Sequence, residues 1–338
     1  MKRLTTILGA LALLLTGTTS CVHQFPEEDD TGTVVLTVLQ ERDWLPDSVV
    51  NLTRAEDSGL EIRYDFRVYP KGNRTDIIKE FTIFKEDLTR QDYTTTLELM
   101  PGDYDLYCWS DYARSDGKSL YYDDSNFGGI TYLTPYVGDT DLKDAFRGMT
   151  SFTITSAGYY EIQPVDATIV LSRPLARYKF IATDLAEFID RETTRGQLVS
   201  TAPEGSGASE RPTRANLTDY QIKVIYPMYM PAVFDNFLNN PVDSWSNQSY
   251  TCSMTQISDT EAVLAMYYVM VNGLQSSVQV MLEVYAPDGL LLARTNTMTI
   301  PTKRDRTTLV YNKFLTTIRN DGVGINPDFE GEFNIEIK

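Results

Sequence analysis

The segment IRYDFRVYP, residues 62–70, alternates Ile62, Tyr64, Phe66 and Val68 with Arg63, Asp65, Arg67 and Tyr69. Successive side chains of a strand point to opposite faces, so this period of two reads as a β-strand with one face in a core and the other wet. The same period recurs in TVVLTVL from Thr33, FTIF from Phe81, TTTLEL from Thr94 and DYDLYCW from Asp103, the last entered through the turn pair Pro101-Gly102. Further strands are expected at GGITYL from Gly128, TSFTIT from Thr150, YYEIQPV from Tyr159 and ATIVLS from Ala167.

The second half starts afresh after VDATIVLSRPLARYKFIATDL, which is interrupted at Pro174. The period changes in DLAEFIDRE, a short helix expected to be capped by Asp184. Residues 193–215 are rich in Gly, Ser, Thr, Pro and Arg and read as a long exposed connection. Strands return in YQIKVIYP, EAVLAMYYVMV and SVQVMLEVY, then in LLLART beyond the Asp288-Gly289 turn, NTMTIP and TTLVYNKFLTT. The terminal EFNIEIK alternates Phe333, Ile335 and Ile337 with polar neighbours. The pattern predicts an all-β protein of two antiparallel Greek-key sandwiches in tandem, covering 33–166 and 167–338, with a short helix in the second.

At the other end, Lys2 and Arg3 precede a short apolar run that exits through Thr18, Thr19 and Ser20, the layout of a secretory signal over residues 1–20. The run is shorter than the roughly 20 apolar residues that a spanning helix requires. Cys21 follows the exit and resembles the lipobox cysteine of bacterial lipoproteins, whose thiol is acylated and becomes the first residue of the mature chain, although Thr18 stands where that motif usually has Leu or Val. The competing reading is an ordinary cysteine behind an ordinary signal. Each buried acyl methylene contributes about 0.8 kcal/mol, so two or three chains give lasting attachment to the outer membrane. Glu27, Glu28, Asp29 and Asp30 resemble the acidic export signal that sends lipoproteins of gut and oral Gram-negative anaerobes to the cell exterior. Residues 21–32 otherwise read as a solvated acidic tether.

Composition narrows the function. The formal charge is −17, and −19 once Lys2 and Arg3 leave with the signal, which excludes nucleic acid as a partner because phosphates require a basic footprint. His23 is the only histidine and lies beside the expected lipid attachment, so the folded body offers no Ser-His, Cys-His or His-metal arrangement. GSG at 205–207 lacks the lysine of a phosphate loop and reads as linker. Asp103, Asp105, Asp111, Asp116, Asp123 and Asp124 admit a glycosidase pair or a calcium loop, but the calcium-loop spacing is missing and solvated acids beside turns are the preferred reading. The neighbouring Tyr107, Trp109, Tyr112, Tyr121 and Tyr122 admit a sugar-stacking platform, with strand-face packing as the simpler account. Cys108 and Cys252 read as small residues buried in different domains, with a disulfide in an oxidising compartment as the alternative. No cofactor, metal site or catalytic residue is expected.

These features together resemble the fimbrillin superfamily, in particular the FimB-type fimbrial anchor lipoproteins. The resemblance is carried by CVHQFPE, PGDYDLYCWSDYARSD, LYYDDSNF, DTDLKDAFRG, LSRPLARYKFIATDLAEF and NKFLTTIRNDGVGINPDFEGEFNIEIK. It implies two transthyretin-like sandwiches, lipidation at Cys21, fimbrial subunits as partners, and strand-mediated contacts in which main-chain hydrogen bonds give affinity. Phe333, Ile335 and Ile337 are then the partner-binding candidates, against the alternative that this strand pairs at home. Polymerising relatives are trimmed by an arginine-specific protease; here a cut at Arg42 or Arg54 would part the folded body from Cys21. The implied role is therefore a non-catalytic, uncleaved outer-membrane lipoprotein that anchors a fimbria-like fibre or assists its assembly. The alternative is a surface lipoprotein that binds a glycan or host ligand.

Overall fold

The computed structural model describes residues 31–40, 59–88, 92–114, 116–156, 162–196 and 216–316, together with the backbone of 336–337. The first strands are β1 (Gly32–Gln40), β2 (Leu60–Pro70), β3 (Lys79–Lys85), β4 (Tyr93–Leu99) and β5 (Gly102–Arg114). Then come β6 (Tyr122–Asp123), β7 (Ile130–Tyr132), β8 (Phe146–Ile154), β9 (Val165–Leu171) and β10 (Leu175–Ala182). Helix α1 (Leu185–Thr194) precedes β11 (Gln221–Asp235), β12 (Asn240–Ser253), β13 (Thr255–Gln256) and β14 (Ala262–Met270). The chain closes with β15 (Gln275–Tyr285), β16 (Leu291–Arg294), β17 (Met298–Lys303), β18 (Thr307–Asn312) and β19 (Glu336–Ile337).

Two sheets enclose the first core. One is ordered β4-β1-β9 and the other β3-β2-β5-β8. Val34, Leu36 and Val38 point in from β1, and Ile62, Tyr64, Phe66 and Val68 point in from β2, as their alternation requires. A second core lies between β13-β14-β10-β18-β19 and a larger sheet ordered β16-β15-β11-β7-β6, with β12 paired on β11 and β17 on β15. The fold is thus an all-β sandwich architecture, with the expected helix in its second half.

The sequence reading is corrected in several places. The face of β2 expected to be wet is covered: Asp65, Arg67 and Tyr69 are buried. What covers it is the excursion between β5 and β8, which leaves the first sheet and joins the second through β6 and β7, where Val233 and Phe234 of β11 pair with Thr131 and Ile130. The guanidinium of Arg67 donates to the carbonyls of Asp124 at 2.9 Å and Ser125 at 3.0 Å and stacks 4.1 Å over Phe127. The division, expected near Val165 to Pro174 and drawn between 166 and 167, has its drawn boundary inside β9, whose Ala167, Ile169 and Leu171 fill the first core. The change of core comes at Ser172–Pro174. Residues 162–164 of the strand expected from Tyr159 are not in a strand, and 159–161 lie outside the described residues.

Asp184 occupies the residue before α1 but makes no cap with its side chain. Its carboxylate instead accepts from the amides of Leu315 at 3.0 Å and Thr316 at 2.8 Å, tying the helix start to the end of the described chain. Of the connection expected over 193–215, Thr193 and Thr194 close the helix, and 197–215 lie outside the described residues.

Candidate functional site

The first described strand after Cys21 in the sequence is β1. It is the central strand of its sheet, antiparallel to β4 from Gly32↔Leu99 to Val38↔Tyr93 and parallel to β9 from Val34↔Val165 to Gln40↔Leu171. The parallel ladder gives one path for load, beside the excursion of β6 and β7 onto β11. Force entering ahead of Gly32 pulls on the start of β1, and force leaving toward the second core pulls on the end of β9, at Leu171. In a parallel pair these are opposite ends, so the hydrogen bonds of the ladder are sheared together and cannot open one at a time. Gly148 of β8 backs this ladder at close range: a Cβ there would lie 2.8 Å from the Val170 carbonyl oxygen and 2.5 Å from a Leu171 methyl.

Cys21, Glu27, Glu28, Asp29, Asp30, Phe333 and Ile335 lie outside the described residues. Ile337 falls in β19, whose backbone pairs in parallel with β18 at the edge of the second core's sheet, Val310↔Ile337. That is the home position weighed against donation to another subunit.

The aspartates near β5 form no single constellation. Asp103 accepts from Thr153, and Asp105 from the Gly72 amide and Ser151. Asp116 and Asp123 cap the turns that follow them, through the amides of Lys118 and Ser125. Asp111 and Asp124, expected to be solvated, are buried: Asp111 meets Arg63 through two hydrogen bonds of 3.0 and 3.1 Å and also accepts from Ser119 and the Trp109 indole, while Asp124 takes a third donor of Arg63 at 2.7 Å. Among the described residues, no group of three or more metal-ligating side chains is assembled. Asp65, beside Arg67, is pushed up to about 7 by burial and by the Asp124 charge, against the pull of Arg67.

The aromatics are core rather than platform. Tyr107, Trp109, Tyr112 and Tyr122 are buried, and Tyr121 packs at the margin of the second core. Cys108 is buried in the first core and Cys252 half-buried against the second.

Lys143 was not singled out in the sequence. It is 2% exposed. Its ammonium donates to the Tyr267 hydroxyl at 2.9 Å and faces the rings of Tyr132, Tyr136 and Tyr267 at 4.7, 4.4 and 4.6 Å. Burial pulls its proton affinity down to about 7. The neighbouring acids are engaged elsewhere, Asp141 with Arg177 and Tyr268 and Asp144 with Arg173.

Fold and interior together define an all-β protein whose two sandwich cores are fastened by an excursion of the first into the second. The chain belongs to a family described as a family of unknown function, DUF6562, which matches residues 27–338. No curated protein matches it. Among solved structures, it is similar to a candidate polysaccharide-binding protein (DUF1812) from Bacteroides thetaiotaomicron, at 13% identity and a TM-score of 0.43 over 77% of this chain and 79% of that one. It is also similar to a fimbrial assembly protein from Parabacteroides distasonis, at 12% identity and a TM-score of 0.42 over 83% of this chain and 90% of that one. A third is the fimbrial anchor protein Mfa2 from Porphyromonas gingivalis, at 10% identity and a TM-score of 0.40 over 78% of this chain and 81% of that one. Its structural neighbours thus include fimbrial anchor and assembly proteins.

Proposed function

We propose that this protein is a non-catalytic lipoprotein of the outer membrane, attached through acyl chains on Cys21 and exported by Glu27, Glu28, Asp29 and Asp30, that anchors a fimbria-like fibre or assists its assembly in the manner of FimB-type anchors. The observation that carries this reading is the parallel ladder of β1 and β9, which a pull on β1 against the end of β9 would shear. A tether at Cys21 would load β1, and that load would pass through β9 and through the β6–β7 excursion paired on β11 to the second core, the body left to engage fibre subunits. A strand pulled this way resists as a unit, which is what an anchor requires and a freely diffusing binding module does not. Metabolic labelling with a tagged fatty acid tests the attachment: the wild type takes the label and Cys21→Ala does not. Equal labelling of both removes the anchor reading.

A further inference from the structure

The tip of the β11–β12 hairpin, Asn236 to Asn239, is gripped by arginines from three separate parts of the chain. Arg147 of β8 donates through Nε to the Asn236 side chain at 3.1 Å and through Nη2 to the Asn236 carbonyl at 2.5 Å. Arg304, in the turn between β17 and β18, donates to the Asn239 side chain at 2.7 Å and to the carbonyls of Asn239 at 2.6 Å and Val271 at 3.1 Å. Arg74 lies 5.7 Å over the Phe237 ring, and its charge acts on the Tyr107 hydroxyl.

Holding a turn needs donors, which neutral amides supply. It does not need three positive charges. Among the described residues, none of these guanidiniums forms an ion pair, although the chain carries 47 acidic residues against 30 Lys and Arg. Asp235 accepts through Oδ1 from the amides of Phe237 at 2.8 Å and Leu238 at 2.9 Å, and its charge, which those neutral donors leave in place, acts on Arg147. Asp105, the acid that acts on Tyr107, is held by Gly72 and Ser151. Burial, reinforced by the charge of Arg304, lowers the proton affinity of Arg147 to about 10. Arg304 also keeps its Nε buried without an acceptor. The three guanidiniums outnumber the acid that acts on them here, partly desolvated excess charge is costly, and an arriving anion lowers that cost. The tip is reachable from solvent, since Leu238 is 56% exposed and Arg74 is exposed.

We propose that this hairpin tip is an oxyanion-binding site, in which Arg74, Arg147 and Arg304 hold a sulfate, phosphate or carboxylate group. Guanidinium forks match the geometry of such groups, and charge-assisted hydrogen bonds are the strong ones. The site is independent of the anchoring role and of Cys21.

Calorimetric titration of the folded body with sodium sulfate, against sodium chloride at matched ionic strength, tests the assignment. Saturable binding of sulfate is expected, weakened about tenfold or more in Arg74→Gln and in Arg304→Gln, the loss of one charge-assisted contact each. Glucose 6-sulfate, with glucose as control, separates the source of the anion: tighter binding of the ester than of free sulfate assigns the group to a larger molecule, and equal binding assigns it to the free ion. Should Arg304→Gln fail to fold, modification of Arg74 by phenylglyoxal in the wild type is read by mass spectrometry, and sulfate is expected to protect it. No saturable binding by the wild type, undiminished affinity in Arg74→Gln, or unchanged modification of Arg74 overturns the proposal.

Discussion

The ammonium of Lys143 sits 2.9 Å from the hydroxyl of Tyr267, with no carboxylate bound to it among the described residues. Burial opposes its charged form and brings its proton affinity down to about 7, while the rings of Tyr132, Tyr136 and Tyr267 favour that form. Lys143 belongs to the excursion that fastens the first core to the second, so its protonation reports on that fastening.

An unfolded lysine keeps its proton until about pH 10.4. Between pH 7 and that value the unfolded chain binds more protons than the folded one, so the contribution of Lys143 rises with pH and is lost as pH falls through 7. The slope reaches up to about 1.4 kcal/mol per pH unit. Denaturant midpoints measured from pH 7 to 9 are expected to climb in the wild type relative to Lys143→Met. Parallel curves for the two proteins would show that the ammonium stays fully charged in its cage.

Asp65 gives the opposite sign. Its folded value of about 7 lies above the ordinary aspartate value near 3.9, so its contribution is complete below pH 4 and is lost as pH rises through 7. Stability of the wild type relative to Asp65→Asn is expected to fall across that window. A difference that grows with pH would mean that Arg67, 3.2 Å away, outweighs burial and the Asp124 charge.

Gly148→Ala places a methyl group against the Val170 backbone, which cannot rotate away. A loss of about 1–3 kcal/mol is expected from this overpacking, read as an earlier denaturant midpoint. An unchanged midpoint would mean that β8 and β9 can separate freely.

The parallel ladder makes a mechanical prediction. Leu36→Ala empties a buried position of β1 and costs about 2–5 kcal/mol, and it is expected to lower the force at which the first core yields when a handle ahead of Gly32 is pulled against the end of the second core. Val280→Ala, in the second core, is expected to leave that force unchanged. Equal sensitivity to both would place the weak point elsewhere.

The period of two in residues 62–70 was legible because a half-polar strand writes its pleat into the sequence. Whether its polar face is wet was not, because Arg63, Asp65 and Arg67 are charged and are covered by partners that arrive from the excursion after β5. Alternation records the polarity of a face, and its burial depends on pairings distant in sequence. The same holds for Lys143, whose cage draws Tyr267 from β14, and for the parallel register of β1 on β9. The helix after Asp184 was legible from its change of period, while the role of Asp184 itself depends on Leu315 and Thr316 at the far end of the described chain.

The central claim is that a lipid on Cys21 holds a fibre to the cell. In cells expressing the wild type, fibre subunits should be recovered with the outer membrane and co-purify with this protein. In the Cys21→Ala strain they should shift into the culture medium together with it. Fibres that stay cell-bound in the Cys21→Ala strain, or the absence of any fibre subunit co-purifying with the wild type, would contradict the account.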